Sequence, residues 1–179
     1  FSSMFASSRI SRFNLTGWNT SKAKKIDNMF SATMITSLDD IIGLGSLDFT
    51  NVENTPFYDR YMGGIQGLFS YNSNITRINS LPNSIKNIPK IISLKDFING
   101  CSKLEFADLS GTNYGEIADI SAIASSCIAL KTLDLTGMTL KPKFAALAFS
   151  NCYELKEIKG VIFDFSAVTN LKNIENMFL

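Results

Sequence analysis

The chemistry open to this chain is bounded by a residue type it lacks. Among its 179 residues there is no histidine. Without an imidazole, Ser-His and Cys-His nucleophilic pairs, HExxH zinc sites, facial-triad iron sites and a charge switch near neutral pH are all out of reach within the chain. Cys101, Cys127 and Cys152 remain as candidate nucleophiles or metal ligands. They stand 26 and 25 residues apart, not in close pairs, and their number is odd, so neither a zinc centre nor a complete disulfide set suits them. They read as a buried file of small apolar thiols, one per structural unit. Gly43-Leu44-Gly45 lacks the third glycine and the lysine of a phosphate loop. The expectation is a protein that is not an enzyme and holds no cofactor and no metal.

Charge and hydropathy narrow the partners. Seventeen Lys and Arg against 16 Asp and Glu leave a net charge of +1, and the densest basic cluster is Lys22, Lys24 and Lys25. That cluster reads as a solvated turn, and a nucleic-acid partner is not expected, because phosphate binding needs clustered cations. No apolar run approaches the about 20 residues of a membrane-spanning helix, so no transmembrane segment is expected. Charged residues make up only 18%, and the polar surface must come from 21 Ser and 16 Asn, which suit strands and turns better than long exposed helices.

The elements that would position any site follow from an internal repeat. Cys101-Ser-Lys-Leu104-Glu-Phe-Ala-Asp108-Leu109-Ser-Gly111 aligns with Cys127-Ile-Ala-Leu130-Lys-Thr-Leu-Asp134-Leu135-Thr-Gly137, and Cys152 to Ile158 repeats the front half. Ile10, Phe13 and Leu15, followed by Gly17, carry the same apolar spacing. An apolar anchor precedes each unit: Phe5, Phe30, Phe69, Ile98, Ala124, Phe149 and Phe178, at intervals of 25, 39, 29, 26, 25 and 29. A fixed period of this size implies a stack of about six coils. The L-x-x-L-x-L spacing predicts one short strand per coil, laid side by side about 4.8 Å apart as a parallel sheet, with the glycine turning the chain away. Tyr114 to Ser126 and Lys143 to Phe149 are expected as short helical or irregular return legs, the first with Ile117, Ile120, Ile123 and Ala124 at helix-like spacing. Pro82 and Pro89 predict an extended return leg in their coil. The long interval places an irregular insertion loop at residues 51–64, marked by Pro56 and Gly63-Gly64. Neither end resembles a cap, so residues 1–179 are expected to be one solenoid domain within a longer polypeptide.

In that register the outward strand positions are candidate binding residues. Between the two inward strand residues stand Asn14, Asp39, Asn79, Asp108, Asp134 and Lys159; beside them run Arg12, Ser37, Arg77, Phe106, Thr132 and Glu157, and after them Thr16, Ser110 and Thr136. Asp108 and Asp134 would lie together and repel. They read as solvated carboxylates offset by Lys159, with a bound cation as the alternative. Phe106 is either a contact anchor or a packed surface ring. Phe57, Tyr58, Arg60 and Tyr61 in the insertion loop combine the residue types of binding hot spots, although packing on a neighbouring coil would look the same. Trp18 reads as a brace for its turn, and sequons at Asn14, Asn19 and Asn74 as coincidences of an Asn-rich composition.

Two segments carry a family resemblance. Asn14-Leu-Thr-Gly-Trp18-Asn-Thr-Ser-Lys22 with Ile26-Asp-Asn-Met29-Phe30, and Ala148-Phe149-Ser-Asn-Cys152-Tyr-Glu-Leu155-Lys-Glu-Ile158, resemble the repeats of BspA-like leucine-rich-repeat proteins of bacterial surfaces. Residues 39–64 do not match that pattern. The expected fold is accordingly an α/β repeat solenoid, a leucine-rich-repeat-like right-handed stack of about six coils with a parallel sheet on one face and short helical or irregular return segments. The resemblance implies a non-enzymatic recognition or adhesion module that binds a protein or glycan receptor, extracellular on a bacterial cell surface or on a virus or phage particle. The other expectation is a structural spacer or assembly element that contacts neighbouring subunits.

Overall fold

The computed structural model of the chain describes residues 1–58, 60–161 and 163–179. It is a β-solenoid of about six turns with mostly parallel sheets and little helix. The strands are β1 (Phe13–Asn14), β2 (Ile41–Ile42), β3 (Asn54–Phe57), β4 (Arg60–Gly63), β5 (Arg77–Ile78), β6 (Phe106–Asp108), β7 (Ile117–Asp119), β8 (Thr132–Asp134), β9 (Leu140–Phe144) and β10 (Glu157–Lys159).

The repeat is written most plainly in the anchors. The N–H of each anchor donates to the carbonyl of the residue just before the next: Phe5 to Met29, Phe30 to Leu68 and Phe69 to Phe97 at 3.1 Å each. Ile98 to Ile123 and Ala124 to Ala148 follow at 3.0 Å, and Phe149 to Met177 at 2.8 Å. All seven anchors expected from the spacing therefore stack, one coil apart. Alternate N–H groups in these segments point to the next coil while the others close turns on a carbonyl three residues back, as Met29 does on Ile26 and Ile123 on Ile120. Two left-handed residues four apart sustain this alternation, for example Asn28 with Ala32 and Ala122 with Ser126, at φ of 50° to 58°. The aromatic anchors add ring contacts, Phe30 on Phe69 at 6.0 Å and 11°, and Phe149 on Phe178 at 5.2 Å and 25°.

The L-x-x-L-x-L segments form the expected parallel sheet, ordered β10-β8-β6-β5. Its inward row is Ile78, Ala107, Leu133 and Ile158, the first three buried. β6, β8 and, outside this sheet, β1 each end in a turn held by the strand's own polar residue. The Ser110 N–H donates to Asp108 Oδ1 at 2.8 Å, Thr136 to Asp134 at 2.9 Å and Thr16 to Asn14 at 3.1 Å. Gly111, Gly137 and Gly17 follow in the left-handed region, at φ of 67°, 88° and 81°, which lets the chain leave the sheet at little steric cost. A fully buried Phe, Leu or Ile is worth about 1.5–3 kcal/mol, and one continuous apolar cluster runs from Phe13 to Phe149.

Four expectations are corrected. Of the two forms expected for the return legs, the helical one is corrected and the irregular one holds only in part: Tyr114 to Ser126 contains β7 followed by turns, and Lys143 and Phe144 end β9, which pairs with β7 in parallel, before turns lead to Phe149. The apolar residues at helix-like spacing are buried because the anchor turns also bring every third residue inward, so Ile117, Ile120 and Ile123 meet the core without a helix. The leg between Pro82 and Pro89 was expected extended and instead holds the one α-helix among the described residues, α1 (Asn83–Lys86), a single turn opening behind Pro82. Pro82 itself keeps an extended ψ of 154° and α1 begins only after it. The segment 51–64 is not an irregular loop but contains an antiparallel hairpin of β3 and β4, with Phe57 opposite Arg60. Asp39 does not lie on a strand, because β2 starts two residues later and pairs Ile42, not Asp39, with Asn14. Ser37 caps a 3-10 turn over Leu38–Asp40 with a reciprocal Asp40 bond, and that capping box absorbs the residues the register had placed on the sheet.

Candidate functional site

Ten of the expected strand-face residues lie on one surface. Across the sheet, Arg77, Phe106, Thr132 and Glu157 stand side by side in register, and Asp108, Asp134 and Lys159 form the next row, with Asn79 continuing β5 into that row. Ser110 and Thr136 follow at the strand ends. The Arg77 guanidinium lies over the Phe106 ring, 4.6 Å from its centre, and its Nε donates to Asn79 Oδ1 at 3.3 Å. Phe106 is half-buried beneath that cation rather than free. At exposed sites such a contact contributes about 0.5–1 kcal/mol. It presents a flat, cationic and aromatic surface pinned at one end of the row, while Lys159 and Glu157 pair at 3.8 Å at the other.

The paired carboxylates have a local occupation. Hydrogen bonds from Thr136, aided by the Lys159 charge, hold the Asp134 carboxyl below the usual carboxylate range. Each Asp closes the turn that ends its strand, so Asp-x-Ser/Thr is a folding signal here. Among the described residues no three or more of Cys, Asp and Glu are grouped to hold a metal ion.

The remaining candidates lie elsewhere. Arg12, Asn14 and Thr16 are exposed at β1, whose only partner strand among the described residues is β2, outside the four-stranded sheet. Arg12 faces Asp40, whose carboxyl is held low by hydrogen bonds from Thr36 and Ser37 and, more weakly, by the Arg12 charge. Asp39 is exposed on the 3-10 turn. Phe57, Tyr58, Arg60 and Tyr61 belong to the hairpin, which packs on the β7–β9 side: Arg60 lies 4.5 Å over the Phe144 ring, and Tyr61 meets the same ring edge-on at 6.5 Å. Asn54 Oδ1 ties the hairpin's base to the Ile92 and Ser93 N–H groups. Phe57 and Tyr58 stay exposed at the tip, Tyr58 at 93%. Packing thus accounts for Arg60 and Tyr61.

The cysteines form the expected file. Cys101, Cys127 and Cys152 are free, and each thiol donates to an anchor carbonyl of the preceding coil: Phe69 at 3.2 Å, Ile98 at 3.0 Å and Ala124 at 3.0 Å. Asn72 fills the same role one coil earlier, donating to the Phe30 carbonyl at 2.7 Å. Burial pushes the Cys101 thiol up to about 12 and raises the other two as well, so none is an activated nucleophile.

One buried ionisable residue escaped the sequence reading. Asp119, at the end of β7, is fully buried. Its Oδ1 accepts the Ser121 N–H at 2.9 Å, while Oδ2 and the Ser121 hydroxyl have no hydrogen-bond partner among the described residues. Burial raises its carboxyl, opposed by the Ser121 N–H hydrogen bond and more weakly by Lys95 and Arg60. The signal was present, since Asp119-Ile-Ser121 repeats the Asp108-Leu-Ser110 pattern.

No family model, curated protein or solved structure matches the chain. Among the described residues no helix is long and apolar enough to cross a membrane.

Proposed function

We propose that the chain is a non-enzymatic recognition module of the BspA-like leucine-rich-repeat kind, acting outside the cell on a bacterial surface or on a virus particle. It binds a protein or glycan through the outward face of β5, β6, β8 and β10. The observation that carries this reading is the row Arg77, Phe106, Thr132 and Glu157, held in register on a rigid parallel sheet with a cation lying over an aromatic ring. Such a surface is preorganised, and aromatic and Arg residues dominate binding energy at interfaces. The absence of histidine and the raised thiols support a binding rather than a catalytic role.

The test is attachment of the labelled chain to glycan arrays, matrix proteins and intact cells, with the triple variant Arg77→Ala, Phe106→Ala and Glu157→Ala as the comparison. The reading predicts at least a tenfold loss of attachment by the variant with its thermal unfolding little changed. Undiminished attachment would sink it and favour the spacer reading, whose support is the hydrogen-bond ladder running through all seven anchors.

A further inference from the structure

The hairpin covers a row of residues that stand in register. Ser93 bridges Asp119 in parallel, and Asp119 pairs with Phe144 across β7 and β9. Register neighbours on parallel strands point to the same side of a sheet, and on that side lies the hairpin. Arg60 and Tyr61 rest on the Phe144 ring, and the Arg60 charge reaches the Asp119 carboxyl. Gln66 Nε2 donates to the Tyr61 carbonyl and to Ser93 Oγ, both at 2.8 Å. Phe144 is buried without belonging to the continuous apolar cluster, so the hairpin is what shields it. Asp108 and Asp134 close the same turn on the uncovered four-stranded sheet and are only half-buried, whereas Asp119 is fully buried.

The hairpin is held unevenly. Its root is tied on both strands: the Glu53 N–H donates to the Lys24 carbonyl at 3.0 Å, Asn54 Oδ1 accepts from Ile92 and Ser93, and the Ile26 N–H donates to the Gly64 carbonyl at 2.9 Å. Beyond the root, the hydrogen bonds and ring contacts that hold it down are, among the described residues, those of Arg60, Tyr61 and Gln66. Gly63 and Gly64, at φ of 74° and 64°, give the root a backbone that bends without the cost a side chain would add. Under this lightly held arm, Asp119 Oδ2 and the Ser121 hydroxyl lack a hydrogen-bond partner among the described residues. An ionised carboxylate in that position is solvated only if the arm rises.

We propose that the outer halves of β3 and β4 form a strap that closes over the protonated Asp119 and lifts about Asn54 and Gly63 when that carboxyl ionises, baring Ser93, Asp119 and Phe144. Arg60 and Tyr61 face the row from the hairpin, and Lys95 and Asp96 flank it on the Ser93 segment. On β9, Lys143 precedes Phe144 and Lys141 pairs with Glu116 at 2.9 Å. Arg60 and Lys95 favour the carboxylate, but burial acts on Asp119 more strongly than either. The strap is therefore firmest in acid and loosens as pH rises through the raised value of the closed state. Asp96 is the competing carboxyl, since burial raises it as well.

Nuclear magnetic resonance of the isotope-labelled chain between about pH 3 and about pH 8 tests this, a span that covers ordinary and raised carboxyls. Overhauser cross-peaks between the Tyr61 and Phe144 rings report the closed strap, and the Asp119 carboxyl carbon shift reports ionisation. The expected result is an at least fivefold loss of those cross-peaks in step with the Asp119 shift, while the Phe30–Phe69 cross-peaks of the stack stay constant. Asp119→Asn should keep the strap closed at every pH, and Asp96→Asn should leave the loss as in the wild type. Cross-peaks that persist throughout the wild-type titration overturn the proposal, as does a loss that survives in Asp119→Asn or disappears in Asp96→Asn. A parallel loss of the Phe30–Phe69 cross-peaks overturns it too, because the whole stack would then be opening. The wild-type titration decides the matter even if a variant fails to fold.

Discussion

At the scale of single residues, the same polar types do opposite things according to where the coil places them. Asp108 and Asp134 close turns at the sheet surface, whereas Asp119 closes the same kind of turn inside the stack with one oxygen unpartnered among the described residues. Because burial raises the folded-state pKa of Asp119 above its ordinary value, the fold favours the protonated form. Its contribution is therefore most favourable below the ordinary carboxylate pKa, declines as pH climbs toward the raised value, and is a constant penalty above it. Asp119→Asn keeps an acceptor for the Ser121 N–H without the charge, and should raise stability in urea at pH 7 by about 1–2 kcal/mol, with the gain vanishing in acid. An equal gain at both pH values would show that the charge is not the cause. The thiols give a second test. Cys101 and Cys127 are buried and should resist a thiol reagent until the protein unfolds, while the half-buried Cys152 reacts first. Rapid modification of all three in the native state would contradict the file. The cysteines were legible in the sequence through their period, one per coil. Asp119 was not, because its Asp-x-Ser signal looks identical on the surface and in the core, and only burial separates the two.

At the scale of elements, the strands of the four-stranded sheet were legible, whereas the strand content of the return legs, the turn at Asp39 and the hairpin within residues 51–64 were not, for a physical reason. An alternating strand announces itself through apolar residues two apart, as Leu133 and Leu135 do, and an Asp-Leu-Thr-Gly ending marks where it stops. The anchor turns carry no such mark. Their left-handed positions hold Asn28, Asp96, Ala122 and Leu147, with Gly67 the glycine at the first position of the pair and Gly100 the glycine at the second, and their apolar residues recur at a spacing close to that of a helix. Periodicity alone cannot distinguish the two. The backbone can be probed directly. A non-glycine residue in this region is held there at a cost of about 1 kcal/mol, so Ala122→Gly should stabilise the protein by about that amount. Gly67→Ala should destabilise it by more than 1 kcal/mol, because φ there is 60° and the added Cβ would collide with the Asn28 side chain. Chemical denaturation of the two variants checks both signs, and a gain from Gly67→Ala would show the turn to be drawn wrongly. Asp39 was misplaced through a related blindness: a 3-10 turn closed by Ser37 and Asp40 fits as easily as a strand into a segment where the repeat is faint.

At the scale of the whole molecule, the account is of seven anchors stacked one coil apart, from Phe5 to Phe178, with a strand face on one side and a hairpin laid over another. The number of coils and the side chains on the strand face were legible because the repeat copies both apolar spacing and strand ending from coil to coil. The hairpin and the break in pairing between β2 and β5 were not, since both arise where the 39-residue interval breaks the copy, and a broken repeat says only that something differs. The strand face divides in the same way: the row from Arg77 to Glu157 follows from periodicity, whereas the break in pairing between β2 and β5 falls where three extra residues precede Ile41. The claim on which everything else rests is the stack itself, and residue-resolved amide hydrogen exchange tests it most directly. The account predicts that the Phe30, Phe69, Ile98, Ala124 and Phe149 amides, all donated to a neighbouring coil, fall in the most protected class together with Ala107 and Leu133. Anchor amides that exchange as fast as the exposed hairpin tip, beside a continuous protected helical run from Ile117 to Ser126, would contradict it.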